Sequence, residues 1–71
     1  MIGTRIDVTI NGEHRTVAAN QSVAELLALL ELPADRIALE LNKSIVRKRD
    51  WNRVIVPEGA HLEIVEFVGG G

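Results

Sequence analysis

The sequence predicts an α+β roll, a mixed sheet of four to five strands with one main helix packed on one face. Three observations carry that expectation. The chain opens with an alternating segment that turns back at Asn11-Gly12, a single capped amphipathic helix follows, and an alternating segment reappears near the end.

The first element is Ile6-Asp7-Val8-Thr9-Ile10, whose two-residue period is that of a half-buried strand. Asn11-Gly12 suits a two-residue hairpin turn because both positions tolerate positive φ. The return strand runs from Glu13 to about Ala18, with Val17 as its clearest inward residue. Ser22-Val23-Ala24-Glu25 then has the form of a capping box, so a helix begins there. Val23, Leu26, Leu27 and Leu30 share one side of it. Pro33 lacks an amide hydrogen and disfavours helical geometry at Leu32, so the helix is expected to stop within a residue or two of it. A helix that short holds only when docked on a sheet.

Ile37, Leu39 and Leu41 alternate with Ala38 and Glu40 as a third strand, and Asn42-Lys43-Ser44 turns the chain into Ile45-Val46. The segment 47–53 is the least patterned. Val54-Ile55-Val56 reads as a brief strand or an extended loop, and Pro57-Glu58-Gly59 as a turn with the proline at its first central position. The last strand spans His61 to Phe67, with Leu62 and Ile64 on one face and Val65 and Phe67 on the other. A mixed sheet with this last strand near its centre lets the first strand pair with its hairpin partner and still bury a face. One domain, residues 1–67, is expected, followed by a flexible glycine tail, residues 68–71.

Composition excludes several kinds of chemistry. With 71 residues the chain holds one small core and little room for an enclosed active site. It has no cysteine, and two isolated histidines, His14 and His61, are a poor basis for a metal site. A net charge of −2 gives no general drive toward nucleic acid, and Leu26 to Leu30 is far too short an apolar stretch to cross a membrane. The asparagines and serines of the two sequon matches, at Asn20 and Asn42, read as turn or cap chemistry. A cytoplasmic protein, monomeric when free and without a bound cofactor, is the expectation. Trp51 reads as a packing anchor for the loop around it, and Arg47, Lys48, Arg49 and Arg53 as a solvated cluster.

Four segments carry a resemblance to a known family. They are Ile10-Asn11-Gly12-Glu13, the helix Ser22-Val23-Ala24-Glu25-Leu26-Leu27, the run from Leu39 to Trp51 around Leu41-Asn42 and Ile45-Val46, and the ending Ile64-Val65-Glu66-Phe67-Val68-Gly69-Gly70-Gly71. Through them the chain resembles the ubiquitin-like sulfur carriers of bacterial thiamin biosynthesis, the ThiS family. It departs from the family's usual pattern at Arg47, where proline is common, and at Ala60, where aspartate is.

The resemblance implies a β-grasp fold and a working C-terminus. A carboxylate is a poor electrophile, and adenylation replaces a bad leaving group with a good one. The carboxylate of Gly71 would be adenylated with ATP by an adenylyltransferase related to ubiquitin-activating enzymes. A sulfur donor such as a cysteine desulfurase would supply a persulfide sulfur, and the thiocarboxylate would pass that sulfur to thiazole synthase. Gly69 and Gly70, lacking a Cβ, would let the tail thread a narrow channel. Ordering it costs about 1–2 kcal/mol per residue. Docking contacts upstream must offset that cost, which singles out Val65, Phe67 and Val68 as partner-binding residues. Cover from an intramolecular loop is the other reading of Val65 and Phe67. Other functions open to such a chain are sulfur delivery to another pathway, of the molybdopterin type, an isopeptide-forming protein modifier, and a passive binding module.

Overall fold

A computed structural model describes residues 3–67 of the chain. Its strands are β1 (Arg5–Ile10), β2 (Glu13–Ala18), β3 (Ile37–Leu41), β4 (Ser44–Ile45) and β5 (His61–Glu66), with one α-helix, α1 (Val23–Leu29). The five strands form one sheet in the order β2-β1-β5-β3-β4, so β5 lies at the centre as expected. It pairs in parallel with β1 and antiparallel with β3.

Both hairpins turn on positive-φ residues. Asn11 and Gly12 sit at φ 50° and 83°, and Asn42 and Lys43 at 50° and 72°. Such turns match the right-handed twist of the strands they join. The second hairpin begins its return one residue earlier than expected, at Ser44. Ile55 makes one isolated bridge to Ser22 and does not join the sheet. In the later turn the Ala60 N–H donates to the Pro57 carbonyl, making Glu58 and Gly59 the central pair. Pro57 therefore precedes the central positions, and Gly59 supplies the φ of +76° that the third residue needs.

The start of α1 leaves none of its first amides unpaired. The Ser22 hydroxyl accepts from the Glu25 N–H at 3.1 Å, and the Glu25 carboxylate accepts from the Ser22 N–H at 2.8 Å. The N–H groups of Val23 and Ala24 donate to the carbonyls of Val54 and Trp51. The helix ends at Leu29, two to three residues sooner than the position of Pro33 suggested. Glu31 adopts φ +57°, its N–H donates to the Ala28 carbonyl and that of Leu32 to Leu27, a Schellman closure built without glycine. Leu30 thus becomes the cap rather than part of the helical face, and is half-buried.

Val23, Leu26 and Leu27 pack on one face of the sheet against Val8, Leu39 and Leu62, with Trp51, Val56 and Ala60 closing the sides. Full burial of each large aliphatic side chain contributes roughly 1.5–3 kcal/mol. Trp51 is the loop anchor that the sequence suggested. Its ring is buried and its Nε1–H donates to the Val46 carbonyl at 2.9 Å. No helix among the described residues is long and apolar enough to cross a membrane.

Candidate docking face and tail

The helix covers one face of the sheet, and alternation decides what the other face shows. In β5 Leu62 is buried and Ile64 partly buried against the core, which puts Glu63 and Val65 on the open side, with Phe67 just past the strand. In β3 burial of Ile37 and Leu39 turns Ala38 and Glu40 outward. Val65 lies opposite Ala38, Glu63 opposite Glu40, and Glu40 opposite Ile45 of β4. These residues line a shallow trough of about 320 Å³. Val65, Phe67 and Ile45 expose 58%, 55% and 75% of their surface, so no loop among the described residues covers them. Exposed aliphatic and aromatic side chains grouped on one face make it a candidate docking surface.

The strand that carries this face is held at several points. Asn42 donates its N–H to the His61 carbonyl and accepts the His61 N–H through its side-chain oxygen, at 2.8 and 2.9 Å. Further along, Asn11 pairs its carboxamide with both backbone groups of Ile64. The Phe67 N–H donates to the Arg36 carbonyl at 2.6 Å. The backbone at Phe67 is therefore held by the fold while the Phe67 side chain stays exposed. Val68, Gly69, Gly70 and Gly71, expected to complete the site, lie outside the described residues.

The basic segment is solvated, as its composition suggested. Lys48 pairs with Asp35 at 3.0 Å, and Arg49 and Arg53 flank Asp50. The Arg53 hydrogen bond, assisted by the charges of Arg53 and Arg49 and opposed by desolvation, holds the Asp50 carboxyl below its ordinary value. His14 is exposed, with Nε2 3.3 Å from Asp7 on the neighbouring strand, and His61 is exposed on β5. Among the described residues no group of acidic residues and histidines is placed to hold a metal.

Sequence reasoning named Val65 and Phe67 but missed Ile45, Glu40 and Glu63. The signal for them was present. Leu39 and Leu41 set the phase of β3, which turns Glu40 outward, and a two-residue turn at Asn42-Lys43 then places Ile45 across from it.

A five-stranded mixed sheet with a central last strand and one helix across one face defines the ubiquitin-like β-grasp class. The crystal structure of the thiamine biosynthesis protein ThiS from Geobacter metallireducens superimposes with a TM-score of 0.82 at 32% identity, covering 93% of this chain and 100% of that one. The model of the ThiS family matches residues 8–71. The sulfur carrier protein ThiS of Escherichia coli K12 is 30% identical over 66 residues, 93% of this chain and 100% of that protein. The chain belongs to the ThiS family. It is also 42% identical, over 64 residues, to a thiazole synthase of Paramagnetospirillum magneticum; the match spans 90% of this chain and only 20% of that longer protein.

Proposed function

We propose that this chain is the sulfur carrier for thiazole formation in thiamin biosynthesis, that it works in the cytoplasm, and that Gly71 is the residue modified. The observation that carries the proposal is the family match, which runs through the triple glycine to residue 71, directly after a central strand whose outer side chains are left exposed.

The chemistry belongs to the tail and its partners. An adenylyltransferase joins the Gly71 carboxylate to AMP from ATP, releasing pyrophosphate. A persulfide, supplied by a donor of the cysteine desulfurase kind, attacks the activated carbonyl, and AMP leaves as the C–S bond forms. A thiolate then cleaves the S–S bond of the resulting acyl disulfide and keeps the outer sulfur in a new disulfide, which frees the thiocarboxylate. The carrier supplies no catalytic side chain to these steps and binds no cofactor of its own. It is a cosubstrate.

Its own contribution is reach and docking. Four extended residues span about 13 Å, enough to carry a terminal carboxylate from Phe67 into an enclosed site. Val65, Phe67 and Val68 anchor the carrier outside that site, and Gly69 and Gly70 pass through the entrance without a Cβ. Thiazole synthase is the sulfur acceptor. That part is supported by the presence of a segment like this chain within a protein of that name.

The test is deletion of Gly70 and Gly71 followed by reconstituted thiazole formation. The truncated carrier should fold normally and support no product. Product formation at the full-length rate would mean a passive binding module instead.

A further inference from the structure

Glu40 of β3 and Glu63 of β5 are directly opposite one another on the open face. Like charges in that position lower the stability of a sheet. Among the described residues neither carboxylate forms an ion pair or accepts a hydrogen bond. As placed, the pair costs the sheet stability and finds no partner within it. It sits between exposed Ile45 and Val65, with the small side chain of Ala38 beside it, in the trough described above.

Resting on the sulfur-carrier reading, we propose that Glu40 and Glu63 receive an arginine of the adenylating partner, whose neighbouring apolar side chain fills the trough between Ile45 and Val65. Directly opposed residues on one sheet face hold their Cβ atoms about 4.5–5.5 Å apart. A planar guanidinium with five donors can bridge two carboxylates at such a separation, whereas an ammonium is a compact point charge. Arginine and bulky apolar anchors are also what the centres of protein interfaces are enriched in. An enzyme that must bring together ATP and a carboxylate, two anions, needs positive charge around its site. An acidic, apolar face on the carrier complements it.

The arrangement trades stability for recognition, and that gives a test with two readouts. The Glu40→Gln/Glu63→Gln double variant should raise the KM of the activating enzyme for the carrier roughly tenfold, with kcat little changed. It should flatten the dependence of kcat/KM on ionic strength and should melt no lower than the wild type. Glu63→Arg should lower kcat/KM further. An unchanged KM and an unchanged salt dependence in both variants would overturn the proposal while leaving the carrier function intact. A wild-type chain that the enzyme, with ATP, does not adenylate at all would instead overturn the carrier reading, and this inference with it.

Discussion

The carboxamide of Asn11 stands beside Ile64 where a further residue of β1 would otherwise pair: Nδ2 donates to the Ile64 carbonyl at 3.1 Å and Oδ1 accepts the Ile64 N–H at 2.7 Å. β1 ends at Ile10, yet β5 runs on toward the tail. One side chain thus supplies the missing rung. At the other end of the strand Asn42 holds His61 with its backbone N–H and its side-chain oxygen, and both asparagines sit at φ 50° in their hairpin turns.

Replacing Asn11 should therefore cost more than a turn residue normally would. Asn11→Gly keeps access to positive φ and removes the carboxamide, so it isolates the two hydrogen bonds, worth about 1–3 kcal/mol together. Asn11→Ala adds backbone strain and should be less stable still. Denaturant unfolding measures both. A glycine variant as stable as wild type would show that the rung contributes nothing.

Ser22 and Glu25 should prove energetically coupled. Each side chain satisfies the other's backbone amide, so Ser22→Ala is expected to cost about 1 kcal/mol. The double replacement with Glu25→Ala should cost less than the sum of the singles. Strict additivity in a double-mutant cycle would contradict reciprocal capping.

Asp50 should titrate below 3.8, because Arg53 first and Arg49 second favour its charged form. A depressed carboxyl pKa stabilises the fold at pH above the unfolded-state value, and that stability is lost as pH falls through the folded-state value. Acid should thus weaken the wild type through this group, whereas Asp50→Asn should show a smaller change in stability over the same acid range. Carboxyl chemical shifts followed by NMR give the midpoint directly, and a midpoint at or above 3.8 would refute the assignment.

Val65→Asp and Phe67→Ala should separate docking from folding. Both side chains are more than half exposed, so unfolding free energy should fall by only about 1 kcal/mol. Turnover by the activating enzyme should fall about tenfold or more through KM. Equal loss of stability and turnover would mean that these residues serve the fold instead.

Much of this was legible in the residues themselves, and the exceptions have a common cause. Alternation, the Asn-Gly turn, the Ser22 to Glu25 box and the phase of the last strand are local signals, and each matched its element. The early end of α1 had no such signal, because Glu31 takes a left-handed conformation usually given to glycine, held there by the Ala28 and Leu27 carbonyls. The 3₁₀ turns at Ala34–Arg36 and Lys48–Asp50 were likewise invisible. So were the clamps of Asn11 and Asn42 on β5, which join residues that only the sheet topology brings together. The outward pair Glu40 and Glu63 could be assigned to a face from sequence, but their opposition depended on strand register.

The central claim is that the Gly71 carboxylate is the reacting group, and intact mass tests it most directly. After incubation with the cognate activating enzyme, ATP, a sulfur source and a thiol reductant, the chain should gain the mass of one oxygen-to-sulfur exchange, localised by fragmentation to Gly71. An unchanged mass, or the same gain in a chain lacking Gly70 and Gly71, would contradict it.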